Sequence, residues 1–303
     1  MLAVLSCLVP IDVLAQTISE SPAMSDYQPP VRSSRLWWRI IPIGIGLAVA
    51  AYQFLGAPQF INPETGRAAR LGLTDQQETA LGVQGFREVV SQSKVITSGP
   101  AYDQVVRVSG RLAHVMTDTV HFDWQVAVVD DPMQNAFCLP GGKICVYTGI
   151  LPITKSDDGL AVVLGHEMAH ATCHHGAERV LRQNMTQTAM LGVQGSMADL
   201  DYQQQRSLMG LIGAGAQYGV LLPFSRAHES EADLVGLKYM ARAGYDPKEA
   251  VAFWTRMSEM SGGSRQPEFM STHPLHETRI HQIEAWLPEV MKERPGAKTE
   301  VER

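Results

Sequence analysis

The sequence predicts an α+β fold, mainly helical with a small mixed β-sheet, preceded by an N-terminal transmembrane helix. Three observations carry that expectation. An apolar stretch, Ile40 to Leu55, follows arginines and paired tryptophans. One block of strand-like residues, Phe122 to Tyr147, stands among helical patterns. A later run, Asp158 to Glu178, has the composition of a buried helix. With 303 residues, 45% hydrophobic and 18% charged, the chain can bury a sizeable core. A net charge of -6 without any basic cluster argues against nucleic acid as a partner.

Residues 1–35 read as a polar leading segment. Met1 to Leu14 is apolar but interrupted by Pro10 and Asp12, with no basic residue before Arg32, which makes a poor signal peptide. Met24 offers a second start. The anchor is expected over residues 36–57. Trp37 and Trp38 suit the membrane interface, and Arg32, Arg35 and Arg39 lie on its N-terminal side. The sixteen residues from Ile40 reach only about 24 Å as a helix, so Leu36 to Ala57 must be counted for a full span. The arginine bias keeps the N-terminus in the cytoplasm. It predicts a single-pass inner-membrane protein with residues 62–292 in the periplasm and a polar tail over 293–303.

After the anchor, Asn62-Pro63-Glu64-Thr65-Gly66 reads as a turn or linker. Thr74 and Gln77 predict a capping box opening a helix that runs to about Ser93, and a second helix is expected over Ala101 to Val115. Strands follow at Phe122 to Val129, Ala136 to Leu139 and Ile144 to Tyr147, the last two joined by Pro140-Gly141-Gly142-Lys143. If Leu139 pairs with Ile144, Cys138 faces Cys145 within disulfide reach, as an exported protein allows. Gly192 to Leu222, rich in Gly and Met, is expected to form a mobile helical cover; a second membrane segment is the weaker reading. A helix N-capped by Ser225 should end at Gly244, another should start at Asp246-Pro247, Ser261 to Ser264 should be a flexible loop, and a last helix should carry Arg279, Ile280, Ile283 and Trp286.

Chemistry is concentrated in His166-Glu167-Met168-Ala169-His170. On a helix, positions i and i+4 lie about 40° apart and about 6 Å along the axis, so both imidazoles can reach one tetrahedral ion, for which zinc suits nitrogen donors. Glu167 points elsewhere and suits a general base acting on water in an open position. Gly165 would cost a helix about 1 kcal/mol against Ala, and a close backbone approach is a natural reason for it. His174 lies one turn beyond His170 on the same stripe, where a role behind the ligands or in solvent suits it, and Cys173 suits core filling. Later, Glu229 and Asp233 share a helix face at i and i+4, whereas Glu231 points away, as a solvated acid would. Glu229 therefore suits a ligand and Asp233 a carboxylate orienting a ligand histidine. His273, before Pro274, is expected at the lip of the final helix and facing the metal, as a fourth ligand or a donor to an oxyanion.

In this order the motifs HEMAH, ESEAD and STHP resemble the gluzincin zinc metallopeptidases related to HtpX and the CAAX prenyl endopeptidase, nearest the bacterial periplasmic branch and its mitochondrial Oma-type relatives. The resemblance covers most of Asn62 to Trp286. It implies His166, His170 and Glu229 as zinc ligands, Glu167 as base, Asp233 as support, and Asn135, Ala136 and Phe137 as the strand edge on which an extended substrate lies. Cysteines at 138 and 145, and His174 where Arg is common, depart from the family pattern without touching the catalytic set. The expectation is a zinc endopeptidase acting on misfolded or envelope proteins. Its rivals are an envelope chaperone with a latent zinc site and a zinc hydrolase of small molecules.

Overall fold

A computed structural model describes residues 36–116, 121–198, 200–216, 222–261, 267–274 and 278–296. The expectations for residues 1–35, for most of the 261–264 loop and for the end of the tail lie outside these. The elements run α1 (Leu36–Gly56), β1 (Gln59–Ile61), β2 (Ala68–Arg70), α2 (Asp75–Gln92), β3 (Val95–Ile96), α3 (Pro100–His114), β4 (Gln125–Val129), β5 (Ala136–Leu139), β6 (Lys143–Tyr147) and α4 (Leu151–Thr154). They continue with α5 (Asp157–Thr172), α6 (His175–Ser196), α7 (Tyr202–Ala216), α8 (Leu222–Arg242), α9 (Glu249–Ser261), α10 (Glu268–Thr272) and α11 (Arg279–Val290).

α5 is the axis of the domain. Ser156 caps it by accepting from Gly159 N at 3.0 Å, and thirteen of its sixteen residues are buried, as a helix apolar on all sides must be. Helices α3, α4, α8 and α9 and strand β5 pack around it. α3 presents Val105, Val108 and Leu112 at helical spacing, and Phe253, Trp254 and Met257 of α9 join the same core. α2 opens with the expected capping box: Thr74 accepts from Gln77 N, and Thr74 N donates to the Gln77 side chain at 2.9 Å.

The sheet is mixed, in the order β3-β4-β6-β5, with β4 parallel to β6 and the other pairs antiparallel. β4 is central and buried through Ala127, Val128 and Val129, so its polar alternation ends where both faces are covered. β5 forms one edge. In the β5–β6 hairpin Cys138 pairs with Ile144, and Phe137 with Cys145. This register is one residue from that expected, which turns the two cysteine side chains to opposite faces. The predicted Cys138–Cys145 disulfide is therefore corrected: both are free thiols.

Two helix boundaries also differ. The pattern through Glu178 is broken at His174, whose φ of 55° is left-handed, so α5 ends and α6 starts in a new direction. α8 begins at Leu222, ahead of the expected cap at Ser225.

α1 is 21 residues long, roughly 30 Å, and Trp38–Gly56 is apolar and long enough to cross a membrane. Ile40, Ile41, Ile45, Leu47 and Leu55 are exposed on it. Its covered side packs along α6. Cβ atoms added at Gly46 and Gly192 would stand 3.0 Å from Gly192 Cα and 2.6 Å from Pro42 O respectively. Gly192 thus serves close helix packing, not the mobility expected of a cover.

Candidate metal centre

The site is made by one crossing. A Cβ on Gly236 of α8 would lie 2.9 Å from both Gly165 C and His166 N, and one on Gly165 would lie 3.0 Å from Gly236 O, so both helices need bare backbone there. The approach that Gly165 foretold brings His166 and His170 of α5 against Glu229 and Asp233 of α8. His273 closes the group from the end of α10, where its backbone N donates to Phe269 O at 2.9 Å.

Four donor atoms converge. His166 Nε2 lies 3.1 Å from His170 Nε2 and 3.2 Å from His273 Nδ1. Glu229 Oε2 lies 3.4 Å from His166 Nε2 and 3.1 Å from His273 Nδ1, while Oε1 lies 3.4 Å from His170 Nε2. A tetrahedral zinc site with bonds of about 2.0–2.1 Å has ligand–ligand edges of roughly 3.3 Å. The donor set fits zinc in both chemistry and spacing. Glu167, beside it, is buried, and its Oε1 has no hydrogen-bond partner; His273 Nε2 is 3.2 Å away but out of line. A buried carboxylate oxygen left alone is costly, and a donating water would satisfy it.

The surroundings set the protonation. Burial raises the Glu167 carboxyl, against the opposing charges of His273 and His166. Burial also depresses His170 well below the usual imidazole range. Burial would depress His166 too, but its bonds to Asp233 and Glu229 outweigh this and raise it to about 9. Glu229, despite burial, is held far below the carboxylate range by hydrogen bonds from the three histidines. His166 Nδ1 lies 2.9 Å from Asp233 Oδ1, and Asp233 takes two 2.7 Å bonds from Arg279. The Arg279 guanidinium lies over Trp254, its Cζ 3.5 Å from the ring centroid.

Glu229 and Asp233 take the positions their shared face required. Asn135, Ala136 and Phe137 lie along the start of edge strand β5, with Ala136 buried and the other two half-buried. The strand passes near Glu167: burial pushes the neighbouring Cys138 thiol well up, and the charge of Glu167 adds to the shift. Other expectations change. Glu231 is buried rather than solvated, binding Asn62, Thr65, Arg67 and His175. His174 turns away to Glu78, 2.5 Å distant. Arg279 and His175 had no assigned part. The only sequence signal for His175 was its place five residues after His170, off the stripe a continuous helix would present.

Comparison with known proteins agrees. The sequence profile of Peptidase family M48 matches residues 103–287. Mitochondrial metalloendopeptidase OMA1 of Schizosaccharomyces pombe is 36% identical over 274 residues, 88% of this chain and 77% of that protein. Metalloendopeptidase OMA1, mitochondrial, of Danio rerio is 32% identical over 273 residues, 86% of this chain and 57% of that protein. The beta-barrel assembly-enhancing protease of Yersinia pestis is 30% identical over 243 residues, 79% of this chain and 49% of its own length. The chain thus spans about half the length of the last two.

Proposed function

Since the chain belongs to peptidase family M48 and is a zinc metalloendopeptidase, we propose that His166, His170 and Glu229 hold its zinc and that Glu167 is the general base for cutting peptide bonds in misfolded or envelope proteins. The observation that carries this is the cluster of donor atoms from His166, His170, Glu229 and His273 at spacings of 3.1–3.4 Å, beside a Glu167 oxygen that has no hydrogen-bond partner. Zinc bound there supplies Lewis acidity for a scissile carbonyl and lowers the pKa of water. Glu167 takes the proton of the attacking water and returns it to the leaving amine. Asp233, held by Arg279, orients His166.

An extended substrate adds to edge strand β5 along Asn135, Ala136 and Phe137, where main-chain bonds hold it irrespective of sequence. The α1 helix anchors the enzyme in the inner membrane, with the domain on the periplasmic side. His273 Nδ1, 3.2 Å from His166 Nε2 and 3.1 Å from Glu229 Oε2, would complete the donor set of a resting site. His273 must withdraw before substrate enters, and it then stands ready to donate to the oxyanion. The same closure favours a second reading, a client-binding protein that rarely cuts.

The full chain in detergent, compared with Glu167→Gln on an unfolded protein substrate, separates the two. Zinc content should be unchanged, and cleavage should fall about 10²- to 10⁴-fold. Equal cleavage by both proteins would remove Glu167 as the base.

A further inference from the structure

The two histidines of the zinc helix are oriented by different devices, and one has no assigned part. His166 bonds directly to a carboxylate, Asp233. His170 does not. Its Nδ1 lies 2.9 Å from Nδ1 of His175, and His175 Nε2 lies 3.0 Å from Glu231 Oε2. Glu231 is in turn clamped by the turn between β1 and β2: Asn62 Nδ2 donates at 2.8 Å, Thr65 Oγ1 at 2.7 Å and Arg67 Nε at 2.6 Å. His175 is buried and stacks on His228, ring centroids 4.1 Å apart. His228 Nε2 lies 3.0 Å from Glu178, which pairs with Arg67.

Hydrogen-bond arithmetic fixes the proton positions along this line. A carboxylate only accepts, so His175 Nε2 carries its proton and donates to Glu231. A neutral His175 then has a lone pair on Nδ1, and the short contact there requires His170 Nδ1 to be the donor. That leaves the lone pair of His170 on Nε2, the atom aimed at the three other metal donors. The opposite tautomer of His170 would set two lone pairs face to face at 2.9 Å.

We propose that His175 and Glu231 are positioning residues that hold His170 in its metal-binding tautomer, and that the Asn62–Arg67 turn keeps Glu231 in place for this task. The relay rests on the reading of His170 as a ligand. It makes the metal site dependent on the segment that follows the membrane helix directly in sequence. The same turn is fastened to α8 at its other end, since Glu64 takes two bonds from Arg242 and its carbonyl one from Lys238. A displacement of the turn therefore reaches the zinc through hydrogen bonds alone. A rival use of these residues is a second ion site, because Cys173, His175 and Glu231 offer donor atoms within 4.8 Å of one another. Against it, the Glu231 oxygens already serve four donors, one a guanidinium.

The test uses the full chain in detergent. Zinc affinity is measured by chelator competition, the ligand field by the visible spectrum of the cobalt-substituted protein, and the His170 tautomer by ring-nitrogen chemical shifts. His175→Ala and Glu231→Ala should each weaken zinc about 10- to 100-fold and shift the cobalt bands. The double variant should be no weaker than His175→Ala, because the two act in series. Glu231→Gln, which keeps an accepting oxygen toward His175, should recover most of the affinity, and Thr65→Val should fall between wild type and Glu231→Ala. Should either alanine variant misfold, Glu231→Gln and Thr65→Val carry the test alone. Wild-type affinity and cobalt spectra in folded variants, or multiplying effects in the double variant, overturn the relay. So does a second zinc equivalent lost in His175→Ala. His170→Ala keeps the two questions apart: if it retains zinc, the ligand assignment fails, whereas zinc lost there but unaffected at His175 and Glu231 sinks the relay alone.

Discussion

Among the described residues two pairs of helices cross on glycine, and they do opposite things with the contact. At the α5–α8 crossing, Gly165 meets Gly236 inside the core, and near the two glycines stand His166, Asp233, 2.9 Å from it, and, one turn on, Glu229. At the α1–α6 crossing, Gly46 meets Gly192 with Pro42 and Thr188 beside them, and much of the outer face of α1 is exposed apolar chain. A side-chain hydrogen bond from Gln53 to Thr188, at 3.3 Å, also links α1 and α6. Close approach is thus a geometric device without a fixed meaning. Where polar groups flank it, it builds a site; where apolar groups flank it, it packs a helix apolar enough for lipid to surround.

The largest effect should come from breaking the inner crossing. Gly236→Val places a branched side chain against Gly165 and His166 backbone that cannot move aside, so a loss of about 3 kcal/mol in stability and collapse of zinc binding are expected. Denaturant unfolding and metal analysis measure both. Full zinc occupancy in a stable Gly236→Val protein would show that the crossing does not set the site.

A second, smaller effect sharpens what the inner site owes to its polar neighbours. His166 in the metal-free protein is raised to about 9 by Asp233 and Glu229 over the opposing effect of burial, and it must lose that proton to bind an ion. Zinc affinity should therefore fall by about tenfold per pH unit below 9, with one proton released per ion in that range. The sign reverses for the stability of the metal-free protein: a raised imidazole stabilises the fold fully below about 6.5 and loses this as pH climbs through 9. Chelator competition and thermal unfolding across pH 6–9 should move in opposite directions. Affinity independent of pH over that range would mean that His166 is already neutral.

The smallest effect is expected at the outer crossing. Gly192→Ala meets Pro42 O, but its helices are bounded on one side by surroundings that can yield, so a cost of about 1 kcal/mol and unchanged zinc affinity are expected. A loss of zinc in this variant would couple the anchor to the site more tightly than packing alone implies.

Much of the site could be read from the chain because its logic is local. Spacing within one helix decides which residues share a face, so His166 with His170, Glu229 with Asp233, and the close approach at Gly165 follow from 3.6 residues per turn. The capping box at Thr74 and the length of the apolar helix are local in the same sense. What lies opposite a face is not local. Glu231 looked solvated because it pointed away from the metal, yet the turn at Asn62, more than 160 residues earlier, covers that side of α8 and makes it a buried acceptor. The β5–β6 register rests on which residues of a tight hairpin take positive φ, Gly141 and Gly142 here, and a one-residue change sends every side chain to the other face. His174 broke a helix that periodicity would have continued, and so delivered His175 to His170. Gly192 became a packing residue only because α1 lies against it. Helical periodicity orders neighbours along one element, whereas burial and pairing depend on which distant segment closes over that element, and only the folded chain decides that.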